Sequence, residues 1–160
     1  MGLFGPKGVN LSRLLGLVQS QYNGITFEQK ELTADKAVIT ANIVAEKYFD
    51  DGIFVRIVAY KSGTCHVFLV FDELDPTFEN LKLINEYNDH SSFLSAYISQ
   101  KDGGKFLELH GSSMDAPDEK VLSETIAYFI NEALNEKLLK YLQPLTNRTY
   151  TAPSNTKVGY

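Results

Sequence analysis

IFVRIVAYKSGTCHVFLVF occupies residues 53–71. In its first half, Ile53, Val55, Ile57 and Ala59 alternate with Phe54, Arg56, Val58 and Tyr60. Successive side chains of a strand point to opposite faces, so this alternation predicts a strand with two distinct sides. Lys61-Ser62-Gly63 then turns the chain, and residues 64–71 resume as a second strand. A connection this short cannot carry a parallel crossover, so the two strands pair antiparallel. Both are apolar on both sides, which calls for cover on each face of the sheet they build.

Working backwards, residues 36–46 alternate as well, with Ala37, Ile39, Ala41, Ile43 and Ala45 opposed to Val38, Thr40, Asn42 and Val44. Residues 25–32 read as a shorter strand. Before them, Leu11, Leu14, Leu15 and Val18 recur at helical spacing, capped by Asn10 or Ser12 and ended by Asn23-Gly24. Residues 1–9, with three glycines and a proline, read as a loose arm.

Working forwards, Asp75-Pro76 opens a helix expected to reach Asn88, because Asp caps free amides and Pro suits the first helical turn. Strands at 92–100 and 105–111 follow, joined by Lys101-Asp102-Gly103-Gly104, a strong hairpin signal. A last helix opens at Asp115-Ala116-Pro117 and runs to Leu142, with the stripe Leu122, Ile126, Phe129, Ile130, Ala133, Leu134, Leu138 and Tyr141. Residues 144–160 are polar and aperiodic and read as a flexible tail, leaving 10–143 as one domain. The order α-β-β-β-β-α-β-β-α predicts an α+β fold, one antiparallel sheet with helices on one face.

A chain of 160 residues buries enough surface to fold without disulfides or metals. Its net charge of −5 and scattered lysines and arginines argue against nucleic acid as a partner. The single cysteine, Cys65, sits in an apolar run and is expected to be a buried thiol, in keeping with a reducing cytoplasm. No segment has the length and apolarity of a membrane span, and the first ten residues lack the apolar core of a signal peptide.

Chemistry-bearing patterns are sparse. His66, His90 and His110 lie in three separate segments without the spacing of a zinc motif, so no metal site is expected. No glycine-rich loop joins a strand to a helix, so no nucleotide cofactor is expected. The acids Asp72, Glu73, Asp75 and Glu79 surround a helix start, where the helix dipole alone favours them. These absences predict a protein that is not an enzyme.

One sheet face has the more telling composition. If Ile39, Ile57, Leu69, Ile98 and Leu107 face the helices, strict alternation puts Phe54, Arg56, Tyr60, Phe68, Tyr97 and Phe106 on the other side. His66, Ser95, Ser99, Glu108 and His110 lie among them. Aromatics interleaved with Arg make an interface-like mixture, and these six residues are the candidate interaction surface. A second polar cluster, Asn85 and Asn88 in LINEYNDH, falls on a helical stripe with Phe78 and Leu81. It is expected to face inward and to bond the backbone of Asp89-His90-Ser91 as a structural joint.

INEYN at residues 84–88, FLSAYI at 93–98 and KDGGKFLEL at 101–109, followed by a long helix, resemble the YbjN-like family of bacterial proteins. Tyr87 stands where that family is associated with a tryptophan. The resemblance implies a fold similar to type III secretion chaperones, which bind extended polypeptide segments and are commonly dimeric. It implies a role in regulating sensory transduction and brings no catalytic residues. The expectation is therefore a non-enzymatic, chaperone-like or regulatory module that binds a protein or peptide and forms a homodimer. The alternative is a small-ligand sensor with a pocket between helix and sheet.

Overall fold

The structure, a computed structural model, describes residues 8–43 and 53–145. The expected end of the second strand near residue 46, most of the N-terminal arm and nearly all of the tail lie outside the described residues. The alternating segments become β1 (Phe27–Leu32), β2 (Lys36–Ile43), β3 (Ile53–Tyr60), β4 (Cys65–Glu73), β5 (Ser95–Lys101) and β6 (Gly104–Ser113). The helices are α1 (Leu14–Gln19), α2 (Phe78–His90), α3 (Glu119–Ala133) and α4 (Glu136–Leu142). The fold is α+β.

The six strands form one sheet in the order β1-β2-β3-β4-β6-β5, every neighbouring pair antiparallel. The first four strands are a meander. The chain then leaves through α2, enters β5 at the far edge and returns as β6 between β5 and β4. The turn at Gly63 holds the β3–β4 hairpin. Its φ is 93°, and a Cβ there would lie 2.3 Å from the carbonyl oxygen of Ala116, so the position accepts only glycine without strain.

Register decides which residues meet. Val55 lies opposite Leu69, Ile57 opposite Val67, and Leu69 opposite Leu109, all fully buried. Against this face pack Leu14 and Val18 of α1 and Leu122, Ile126 and Ile130 of α3. Each such side chain contributes on the order of 1.5–3 kcal/mol when fully buried. The ring of Phe129 comes so close to β6 that a Cβ on Gly111 would meet it at 2.6 Å. The helices thus cover one side of the sheet.

Several boundaries differ from the sequence reading. The final helix divides at Asn135, whose side chain accepts the amide of Lys137 and so starts α4 afresh. Asn is a poor interior residue and a good cap, for one reason: its amide competes for backbone groups. Helix α2 begins after Thr77, not at Asp75-Pro76, because the Thr77 hydroxyl accepts the amide of Asn80 in the capping position. The first helix begins as a 3₁₀ turn, Leu11–Arg13, capped by Asn10 rather than Ser12. The domain also reaches past the expected limits of 10 and 143. Val9 is buried and donates to Lys61, and Leu145 is buried in the core.

The phase of α2 also departs from expectation. Phe78 and Leu81 are exposed, and the inward face is Asn80, Ile84 and Tyr87. Polar and apolar residues are mixed around this helix, so tertiary packing, not periodicity, chooses its buried side.

Candidate functional site: the open face of the sheet

The side of the sheet away from the helices carries all six residues of the candidate surface. Phe54, Arg56 and Tyr60 alternate with buried residues on β3, Phe68 does so on β4, and Tyr97 and Phe106 stand on β5 and β6. Cross-strand register assembles them into rows. One row runs Thr40, Arg56, Phe68, His110 and Ser95 across β2, β3, β4, β6 and β5. The next runs Asn42, Phe54, Val70, Glu108 and Tyr97. Phe106 lies one step further, opposite Ser99. Phe54 and Tyr60 are about two-fifths exposed, large for aromatic rings on a sheet.

The face is shaped. Phe54, Val70, Lys101 and Phe106 line an open depression of about 460 Å³. A smaller one of about 210 Å³ is bordered by Lys36, Arg56, Tyr60, His66 and Phe68, with Val58 among its lining residues.

At the centre, Phe68 stacks on its cross-strand partner His110, ring centroids 4.7 Å apart and planes within 11°. His66 Nδ1 lies 3.0 Å from His110 Nε2. One ring therefore donates and the other accepts, and charging both would set two N–H groups head to head. Burial holds His110 below the usual histidine range, and His66 adds to this while the carboxylate of Glu108 opposes it. Glu108 itself is almost fully buried, and its Oε1 receives Lys101 Nζ at 2.9 Å. Burial, followed by the nearness of Glu108, pushes the Tyr97 hydroxyl up to about 12.

From the sequence, two strand histidines pairing across the sheet is the less favoured outcome, solvated or packed rings being the favoured one, yet His66 and His110 do meet. They stand diagonally, His66 opposite Ser112 and His110 opposite Phe68. That neighbourhood exists only because β6 inserts beside β4, a pairing between strands that are not consecutive. Among the described residues no group of three or more His, Cys, Asp or Glu side chains could hold a metal ion.

The asparagine cluster separates into two different residues. Asn88 Nδ2 donates to the carbonyl of Ala96 at 3.0 Å, and its Oδ1 accepts the Ala96 amide at 2.7 Å. Ala96 lies on β5, whose other edge pairs with β6, so the Asn88 amide substitutes for a peptide group of a missing neighbour strand. The expected partner, the 89–91 backbone, is not used, because α2 continues through His90. Both asparagines are exposed rather than inward-facing, and Asn85 takes no part in this contact.

On comparison with known proteins, the chain matches no family model, no curated protein and no solved structure.

Proposed function

We propose that the open sheet face is a protein-interaction surface and that the chain works as a non-enzymatic, chaperone-like or regulatory module. The observation that carries this reading is that, among the described residues, the helices cover one face of the sheet and leave the other without a helix. Helices pack on one face, while the other shows Phe54, Arg56, Tyr60, Phe68, Tyr97 and Phe106 in continuous cross-strand rows. A six-stranded sheet with strands of about eight residues presents a face of roughly 600 Å². That approaches the ~800 Å² that each partner contributes to a standard interface.

The resemblance to YbjN-like proteins, and through them to type III secretion chaperones, points the same way, toward a cytoplasmic protein that binds another polypeptide or a second copy of itself. Among the described residues no helix is long and apolar enough to cross a membrane.

Solution mass of the wild type, of Phe68→Asp and of Tyr97→Asp tests the proposal. A dimer that both substitutions dissociate puts a second copy on the face. A monomer that captures peptides through the face, and loses them in both variants, puts a different partner there. A monomer that binds no peptide overturns the reading.

A second reading, a small-ligand sensor, rests on one further observation. A depression of about 540 Å³ lies where α3 meets the end of β6 and the α2–β5 joint, lined by Phe93, Ser112, Glu124, Thr125 and Tyr128 among others. Its mixture of rings and hydroxyls suits a small amphipathic molecule. A thermal-shift screen separates the readings, since a ligand held only by the native state raises Tm.

A further inference from the structure

Arg56 sits near the middle of the open face, exposed, between Thr40 and Phe68 in its row. Among the described residues its guanidinium has no ion-pair partner. It borders the depression of about 210 Å³ together with Lys36, Val58, Tyr60, His66 and Phe68, and among the described residues no carboxylate lines that depression. This is unusual for the molecule, which carries a net charge of −5.

The neighbouring carboxylates on the same face are already held. Glu108 is bound by Lys101, Glu31 by Lys36 at 3.3 Å, and Glu28 by Lys30 at 2.8 Å. Among the described residues, a second copy of this chain laid face to face would bring as further carboxylates Glu73 and Asp102, which line the depression at the far corner beside Phe106. The uncompensated charge therefore asks for a carboxylate from elsewhere, and its surroundings ask for apolar groups beside it.

Building on the interaction surface proposed above, we infer that the depression around Arg56 is a subsite for an acidic side chain on a segment of a different protein. That side chain is flanked in the segment by aromatic or aliphatic residues that lie on Phe68 and Tyr60. Arg suits this task because its planar fork meets a carboxylate with two parallel hydrogen bonds.

The test uses the full-length, ¹⁵N-labelled chain and blocked pentapeptides with Phe at the second and fourth positions and Glu, Gln or Lys between them. Titration is followed in amide and Arg Nε–Hε resonances. The Glu peptide is expected to shift the resonances of Arg56, Tyr60 and His66, and to bind about tenfold more tightly than the Gln peptide. Arg56→Gln is expected to erase that preference while leaving the fold, read from the remaining spectrum, unchanged. Added salt should weaken the Glu peptide selectively.

Equal binding of the Glu and Gln peptides at this face overturns the acidic subsite but leaves the interaction surface standing. Absence of any shift on the face up to millimolar peptide overturns the subsite. If Phe68→Asp in that case also leaves the solution mass unchanged, the interaction surface falls with it. A dimer dissociated by both Phe68→Asp and Arg56→Gln assigns the carboxylate to the second copy and overturns the choice of partner.

Discussion

Replacing Asn88 by Ala should destabilise the protein well beyond what an exposed position normally costs. Its side chain makes two hydrogen bonds to a single residue, at 2.7 Å to the amide and 3.0 Å from the carbonyl of Ala96. Ala96 is only 4% exposed, so its backbone groups have little access to water once the amide is gone. A net contribution of about 0.5–1.5 kcal/mol per bond gives roughly 1–3 kcal/mol in all. Asn85, three residues earlier on the same helix, is exposed and outside this contact, so Asn85→Ala should change stability by less than about 0.5 kcal/mol. Urea unfolding followed by circular dichroism measures both, with the shift in midpoint multiplied by the slope. Asn88→Asp is a sharper probe. An ionised carboxylate still accepts the Ala96 amide but faces its carbonyl oxygen with no proton to donate, so it should recover no more than half of the loss. Equal values for Asn88→Ala and Asn85→Ala would refute the reasoning, as would an Asn88→Asp protein as stable as the wild type.

Gly63→Ala should cost at least about 1–2 kcal/mol, because φ is 93° and the new methyl would meet the Ala116 carbonyl; thermal unfolding checks it. Stability should decline as pH falls below the ordinary histidine range. His110 is held below that range in the fold, so its contribution is fully present above the unfolded value and is lost as pH drops through the folded one. His110→Asn should flatten that slope in unfolding curves measured from pH 7 to pH 5. Cys65 is fully buried, and burial pushes its thiol up to about 11. A thiol-specific chromogenic reagent at pH 8 should therefore react with it only slowly in the native protein and quickly in denaturant.

The period-two alternation of residues 36–43 and 53–71 was enough to say which side chains share a sheet face, because in a strand the side is set by parity alone. Phe54, Arg56, Tyr60 and Phe68 could be assigned together on that basis, and the Asp102-Gly103 turn was legible because φ values of 48° and 82° suit those two residues. Helix α2 shows where this kind of reasoning stops. Its Phe78 and Leu81 look like a core stripe and are exposed, while Tyr87 is buried. A helix with mixed residues around its circumference takes its rotation from what it lies on.

What the sequence by itself determined is local: the strands, their two-sidedness, the tight turns and the α+β class. These follow from backbone sterics and from side-chain alternation, which act over a few residues. Tertiary structure decided everything that joins distant segments. It inserted β6 between β4 and β5, and so brought His66 within 3.0 Å of His110. It set Asn88 against the free edge of β5. It left Arg56 without a carboxylate among the described residues, while Lys101 and Lys36 found theirs. Non-consecutive pairing depends on how the whole hydrophobic surface is best buried, and no short stretch of residues carries that information.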